Sequence, residues 1–456
     1  MSIEPKFTVY IASHNYGRYL SDAIESVLRQ TVDAWELIII DDGSTDETPQ
    51  IVDRYSSHPR ISVFCTDNIG LPSVCNLALE NAKGKYIIRL DGDDIFDENI
   101  LLILGHHLDR NNTLSLVFPD YYLIDEGGEI FSHERRRKLH SDDHLMELPP
   151  NGACTLVRTN ILRQLGGYRV DLGAQDGLDL WVKLKDNYNA ANINLPLFYY
   201  RRHGKNLTEK PLKIINARRE LKKSATINQL NKMRPIIAVI PCRRHYDFNE
   251  DLWNELLAGQ TLLERDIEAC INSELIDRVV VTCDNPDAEK TLLPFKSSRL
   301  NFVLRDERST IRSSNIVDTL KVVTNKFDPH YSGITIMRYV QTPFVSTGTI
   351  DEAITSLAVS GADSANAIEL INSTIYRRTA FGLVSVNNDY GHLVGGEKLY
   401  RDSSTCLAIR NSNLIKGSLT GSSMAGFAVS AVETFFINSS NNLSLARSFA
   451  EQKIGT

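Results

Sequence analysis

Apolar positions in the first quarter of the chain follow two rhythms that alternate. Phe7 to Ala12 is a short apolar run, as expected of a strand buried on both faces. The segment after it spaces Leu20, Ile24, Val27 and Leu28 by one to four positions, which gathers them on one face of a helix. Trp35 to Ile40 predicts a second strand, and Asp41-Asp42-Gly43-Ser44 follows it. Ser44 and Glu47 have the spacing of a capping box, so a helix carrying Ile51 and Tyr55 is expected to begin there. Ile61 to Cys65 predicts a third strand, Pro72 to Ala82 a helix ending before Gly84, and Tyr86 to Leu90 a fourth strand. Strands alternating with helices at this spacing imply an α/β fold with a parallel sheet and right-handed crossovers.

The rhythm then breaks and restarts. Leu212 to Met233 is polar and reads as a linker helix, and a new apolar run begins at Pro235 to Pro241. A strand-first unit after a polar segment marks a second domain. The expected division is a first domain over 1–212, a helical linker over 213–232 and a second domain over 233–456. Later strands of that domain are expected at Arg278 to Thr282, Asn301 to Leu304 and Gly333 to Arg338. A chain of 456 residues is long enough for two or three cores, which agrees with this division.

Composition narrows the function classes. A net charge of -7 gives no electrostatic footprint for nucleic acid. No apolar run is long enough to span a bilayer, and Met1 to Lys6 leads into a strand instead of a signal h-region. Seven scattered cysteines with no CxxC pair suit a reducing compartment, so the expected location is cytoplasmic.

The chemistry concentrates in Leu90-Asp91-Gly92-Asp93-Asp94, which closes the fourth strand. Carboxylates are poor core material, because burying an unpaired charge is costly. In open α/β sheets ligands sit beyond the carboxyl ends of strands, so acids placed there fit a divalent metal and a phosphorylated substrate. Other segments join this one. Val9 to Leu20, Glu36 to Asp46, Asn68-Ile69-Gly70, Gly84-Lys85-Tyr86, Asp91 to Asp94, Gln175 to Trp181 and Tyr200-Arg201-Arg202-His203 occur in an order that resembles the inverting family 2 nucleotide-sugar glycosyltransferases.

That resemblance covers roughly residues 7 to 208 and implies a GT-A fold and sugar transfer from a nucleotide donor, a hexosyl transfer from a UDP-sugar, to a cell-surface polysaccharide or glycolipid precursor. It implies Asp93 and His203 as ligands of a manganese or magnesium ion. Ala12, Ser13, Asn15, Asp41, Asp42, Asp91 and Arg202 would then contact the nucleotide. The base that takes the acceptor's proton would be Asp176, in a Gln175-Asp176 pair where the family commonly has Glu-Asp, with Asp179 as the fallback. Each acid has a simpler alternative: Asp41 and Asp42 can cap a turn, and Asp176 can complement a helix dipole. Arg135-Arg136-Arg137-Lys138, near His133, His140 and His144, reads as a solvated charge run, with an anionic acceptor as the alternative.

The second half resembles the cytidylyltransferases that activate acidic sugars with CTP. Ile237 to Arg243, Leu256 to Leu262, Asp277 to Asp284, Gln341-Thr342-Pro343-Phe344 and Gly361 to Ser364 carry the likeness, which implies the same GT-A-type α/β fold in both halves. Two departures stand out. The expected phosphate loop, Arg244 to Trp253, has no glycine to let backbone N–H groups approach a triphosphate. Where the family has a metal-binding aspartate pair, this chain reads Phe436-Ile437-Asn438-Ser439. The expectation is a domain that no longer transfers nucleotides. The alternatives are a bifunctional enzyme and a noncatalytic binding or dimerisation module, which leaves room for a homodimer through this domain and for peripheral membrane association.

Overall fold

The computed structural model describes residues 4–136, 152–172, 176–184, 188–204, 211–310, 315–371, 373–380, 382–386 and 399–454. The chain divides into two units, Met1–Leu221 and Lys222–Thr456.

The first unit is built from β1 (Phe7–Ser13), α1 (Gly17–Leu28), β2 (Trp35–Asp42), α2 (Thr48–Tyr55), β3 (Ile61–Thr66), α3 (Leu71–Asn81), β4 (Tyr86–Asp91), β5 (Ile95–Phe96), α4 (Ile100–Arg110), β6 (Leu114–Ile124), β7 (Ile130–Glu134), β8 (Leu156–Arg158), α5 (Thr159–Gln164), α6 (Asp176–Leu184), β9 (Asn189–Arg201) and α7 (Pro211–Asn231), the last crossing into the second unit. Its sheet runs β3-β2-β1-β4-β8-β6-β9-β5, with β7 added to β6. The first four strands are mutually parallel, and β8 enters antiparallel to both β4 and β6. The expected parallel sheet is therefore the left half of a mixed one.

Alternation along β1 explains why both faces are covered. Val9 and Ile11 pack with Leu20, Ile24 and Val27 of α1 and with Leu104 of α4. Tyr10 and Ala12 point the other way, toward Val74 and Ala78 of α3 and Trp181 of α6. Gly105 lets α4 close on this layer, since a Cβ there would stand 2.4 Å from the Phe7 ring.

The second unit repeats the plan with β10 (Ile236–Pro241), β11 (His245–Tyr246), β12 (Asn249–Glu250), β13 (Leu256–Leu257), β14 (Gln260–Thr261), α8 (Leu262–Ile271), β15 (Arg278–Cys283), β16 (Leu300–Leu304), α9 (Ile316–Phe327), β17 (Ile334–Met337), α10 (Thr347–Ser360), β18 (Ser364–Leu370), β19 (Tyr376–Thr379), β20 (Gly382–Ser385), β21 (Tyr400–Arg410), α11 (Asn411–Ile415), β22 (Met424–Ala428) and α12 (Ser440–Ile454). The sheet order is β16-β15-β10-β17-β21-β18-β22, parallel through β17 and antiparallel at β21. The end of α7 is not a free linker: Leu230 belongs to this unit's core, and the buried Lys222 pairs with Glu352 of α10.

Candidate active site

In the first unit β1, β2 and β4 end together. Their register sets Ser13 beside Asp41 and Ala12 beside Asp91. Gly92 permits this closeness, because a Cβ there would lie 3.3 Å from Ser13 Oγ. Ser13 Oγ is buried and meets no hydrogen-bond partner among the described residues. An orphaned hydroxyl at the carboxyl end of parallel strands is what a ligand would complete.

Two loops are laced across this end. Asn15, held in the left-handed region at φ 61°, donates its N–H to Ser44 Oγ (2.8 Å), and its Oδ1 accepts from the Thr45 N–H (2.7 Å). His14 Nδ1–H donates to the Asp42 carbonyl (2.6 Å). The capping box expected from Ser44 and Glu47 does not form. Asp46 caps α1 and α2 at once instead, accepting from the Gly17 N–H (2.9 Å) and the Thr48 N–H (3.0 Å), while the Ser44 hydroxyl serves Asn15. A partner distant in sequence outcompetes the local one.

Asp41 and Asp42, both buried, differ in what they hold. Asp41 Oδ1 accepts the Ser44 N–H (3.0 Å), the turn-capping geometry, and Oδ2 has no bond among the described residues. Asp42 uses both oxygens, on Thr66 Oγ1 (2.7 Å), the Ile69 N–H (2.6 Å) and the Gly70 N–H (2.8 Å), and so braces the loop after β3.

The acidic motif is met by the end of β9. His203 Nε2 lies 2.8 Å from Asp93 Oδ2, with both side chains almost wholly buried. The His203 ring stacks on Tyr19 (centroids 5.1 Å apart) and meets Tyr16 edge-on (5.9 Å). The hydrogen bond to Asp93 raises the His203 pKa above its ordinary 6.5. Asp91 pairs with Arg89 (2.8 Å), and Arg89 Nη1 reaches Cys75 Sγ. Burial, then the nearby Asp93 and Asp91, pushes the Asp94 carboxyl well above the usual range; its Oδ1 accepts the Arg201 N–H (3.0 Å). Burial and the same three acids raise the Tyr16 phenol.

Arg202, the expected phosphate partner, is exposed and stacks on Tyr200 at 5.3 Å. Its neighbour Arg201 is the buried one and binds the main chain of Asp93, a role that sequence reading missed; the signal was an arginine as the last residue of an apolar strand.

No cluster of three or more His, Cys, Asp or Glu side chains able to cage an ion occurs among the described residues. Asp93 and His203 supply two adjacent donors of the right chemistry. An ion such as magnesium or manganese that takes one or two protein ligands and completes its shell with water and substrate phosphates fits that arrangement.

Asp176 opens α6, but its side chain, like all of Gln175, lies outside the described residues. Asp179 is buried, accepting from Lys183 Nζ (2.7 Å) and the Arg169 N–H (3.0 Å). The arginine run departs from expectation at Arg136. Its terminal nitrogens are buried, and its guanidinium lies 5.3 to 5.7 Å from the Tyr121, Phe198 and Phe118 rings. Aromatic faces offer a cation partial compensation for lost water, so the side chain need not be solvated. Arg135 and His133 are exposed, and Arg137, Lys138, His140 and His144 lie outside the described residues.

In the second unit, the segment from Arg244 folds into the β11–β12 hairpin, not an open loop. The Arg244 N–H donates to Asp284 Oδ1 (2.7 Å), and Asp251 is fixed by Asn285 Nδ2 (3.0 Å) and Trp253 Nε1 (2.9 Å). The Asn438 amide oxygen accepts from Asn442 Nδ2 (3.1 Å), and Glu433 braces the Ser346 cap of α10, accepting from the Ser346 hydroxyl (2.8 Å) and Thr349 Oγ1 (2.6 Å). A pocket of about 180 Å³ at the end of β10 is lined by Arg243, Tyr246, Arg305, Thr310, Tyr339 and Gln341, among others.

Residues 8–164 match the family model described as "Glycosyl transferase family 2", and residues 255–432 match that described as "Cytidylyltransferase". Over 246 residues the chain is 25% identical to the chondroitin synthase of Escherichia coli, a match covering 53% of this chain and 36% of that protein. It thus spans about a third of the length of this curated relative. Among solved structures, S. aureus TarS 1-349 in complex with UDP-GlcNAc is similar at 19% identity and TM-score 0.42, over 50% of this chain and 67% of that one. A CMP:2-keto-3-deoxy-manno-octonic acid synthetase complexed with CTP is similar at 14% identity and TM-score 0.37, over 48% of this chain and all of that one.

Proposed function

Because the first unit carries a glycosyl transferase family 2 domain and the second a cytidylyltransferase domain, we propose that the chain is a metal-dependent, inverting glycosyltransferase whose second unit no longer transfers nucleotides. The donor in this reading is a UDP-sugar, and the acceptor a polysaccharide or a glycolipid precursor. The observation that carries it is the 2.8 Å approach of Asp93 and His203 beyond the end of β4.

A divalent ion held by Asp93 and His203 would neutralise the charge that develops on the departing diphosphate. Ser13 and Asp41, whose side chains keep an oxygen without a partner among the described residues, face the nucleoside. Asn15 and Asp42 act through the loops they brace. Ala12 and Asp91 form the strand-end floor, and Arg202 meets phosphate oxygens from the exposed side. The acceptor hydroxyl attacks the anomeric carbon from the face opposite the diphosphate. Its proton passes to the Asp176 carboxylate as the bond to the diphosphate breaks, which inverts the centre and releases the nucleotide. Seven free cysteines support a reducing, cytoplasmic setting, and no helix among the described residues is long and apolar enough to cross a membrane.

Asp93→Ala tests the reading. Mn²⁺-dependent UDP binding should be lost while the circular dichroism spectrum is kept, since Asp93 lies beyond the end of β4 and its side chain bonds His203. Metal-dependent binding by the variant would remove Asp93 from the site.

For the second unit, support comes from a hairpin in the phosphate-loop position, a backbone N–H there already bound to the Asp284 carboxylate, and Asn438 in place of a metal-binding acid.

A further inference from the structure

We infer that Arg201 is a positioning residue that sets both metal-binding side chains, Asp93 through its main chain and His203 through Tyr19. The inference rests on the reading of Asp93 and His203 as the metal ligands. Arg201 is 2% exposed and among the largest fully buried side chains of the chain. A guanidinium is tolerated there only if its donors are satisfied. They reach three separate segments: Nε donates to the Asp93 carbonyl (2.9 Å), Nη1 to the Glu126 carbonyl (3.1 Å) and Nη2 to Asp22 Oδ2 (3.2 Å). The backbone N–H of the same residue holds Asp94 Oδ1 (3.0 Å).

One residue thus pins consecutive positions of the acidic motif, the first through a carbonyl and the second through a carboxylate. Neither contact uses the Asp93 side chain, which stays directed at His203. The guanidinium carbon lies over the Tyr19 ring, 4.7 Å from its centroid, and Tyr19 in turn stacks on His203. Moving Arg201 would therefore move a carboxylate and an imidazole together, and it would loosen the tie to α1 through Asp22 and Tyr19. Lysine can keep the charge but not the fork or the stacking plane.

The test uses the full chain, with Mn²⁺ and UDP as probes. In Arg201→Lys the Mn²⁺ dissociation constant in the presence of UDP should rise about 10- to 100-fold, the usual effect of removing a partner that orients a ligand. UDP binding without metal should stay within about twofold, because the nucleoside contacts lie on β1 and β2; a merely structural lesion would weaken both together. Asp22→Ala removes the guanidinium's outermost partner at a half-exposed position, so it preserves the fold and should raise the same constant by about threefold. Unchanged Mn²⁺ affinity in both variants, or equal loss of metal-free and metal-dependent UDP binding, would overturn the proposal. If Asp93→Ala retains metal-dependent binding, the underlying reading fails first, whatever Arg201 does.

Discussion

Asp176 and Asp179 lie one helical turn apart on α6, yet substitution at the two should have different consequences. Asp179 is buried between Lys183 and the Arg169 N–H, so replacing it leaves a cation and a backbone donor without their acceptor. Asp176→Asn keeps the shape of the side chain but cannot take a proton. In single-turnover assays we expect transfer to fall by roughly two to four orders of magnitude with donor affinity unchanged. In Asp179→Ala, which removes the acceptor altogether, the expected outcome is a lower melting temperature. Loss of donor affinity in Asp176→Asn would place that residue at the nucleotide instead. The same contrast separates Asp41 from its neighbour Asp42: identical side chains, one with an oxygen left over and one with both oxygens tied to the loop after β3.

At the scale of elements, α10 shows how a carboxylate from outside the helix, bracing its Ser346 cap, couples stability to pH. Burial acts to raise the Glu433 carboxyl, but hydrogen bonds from Thr349, Ser346 and Ser430 outweigh it and hold the group below its ordinary 4.5. A carboxylate with a depressed folded-state pKa contributes stability that is present in full above its unfolded value. That stability is lost as pH falls through the lower folded value. The melting temperature of the wild type should therefore exceed that of Glu433→Gln near neutrality, and the difference should shrink as pH drops below about 4.5. A constant difference across that range would show that the carboxylate's charge is not what holds the cap.

The cap also shows where the sequence stopped being legible. Continuous apolar runs announced β1, β2, β4, β10 and β15 almost to the residue, because strands covered on both faces need nothing else. The acids at their ends were legible as a cluster, but the sequence left open whether each caps a turn or meets a ligand, and Asp41 does cap one. What the pattern did not carry was partnership across long separations. Asp46 reaches 29 residues back to Gly17, Glu433 lies 84 residues beyond Thr349, and Arg201 follows Asp93 by 108. Ser44 looked like a cap because its spacing to Glu47 was right, and local spacing says nothing of Asn15. Arg136 looked solvated because its neighbours in sequence are charged, whereas its neighbours in space are Phe118, Tyr121 and Phe198.

At the scale of the whole molecule, two α/β units follow one plan but differ in what stands at the strand ends. In the first, Asp93 and His203 meet there. In the second, the matching segment is a hairpin, and no carboxylate replaces the metal pair at Phe436 and Asn438. In the proposed reading, with no glycine-rich cradle and no acid pair at these positions to hold a metal, attack on the α-phosphorus of CTP would have little to stabilise it. The full chain should release no pyrophosphate from CTP with any of a panel of acidic sugars. Release that requires both CTP and one sugar would instead establish a bifunctional enzyme.

The bond between the Arg244 N–H and Asp284 carries that contrast further. A phosphate arriving at this hairpin would be a rival to an anion fastened to the same chain, and a tethered competitor acts at an effective concentration of millimolar order or higher. If the unit has lost nucleotide transfer as proposed, a glycine introduced near Arg244 would clear space without evicting the resident carboxylate, and removing Asp284 alone would leave the space blocked, so rebuilding a phosphate cradle there would need both changes at once.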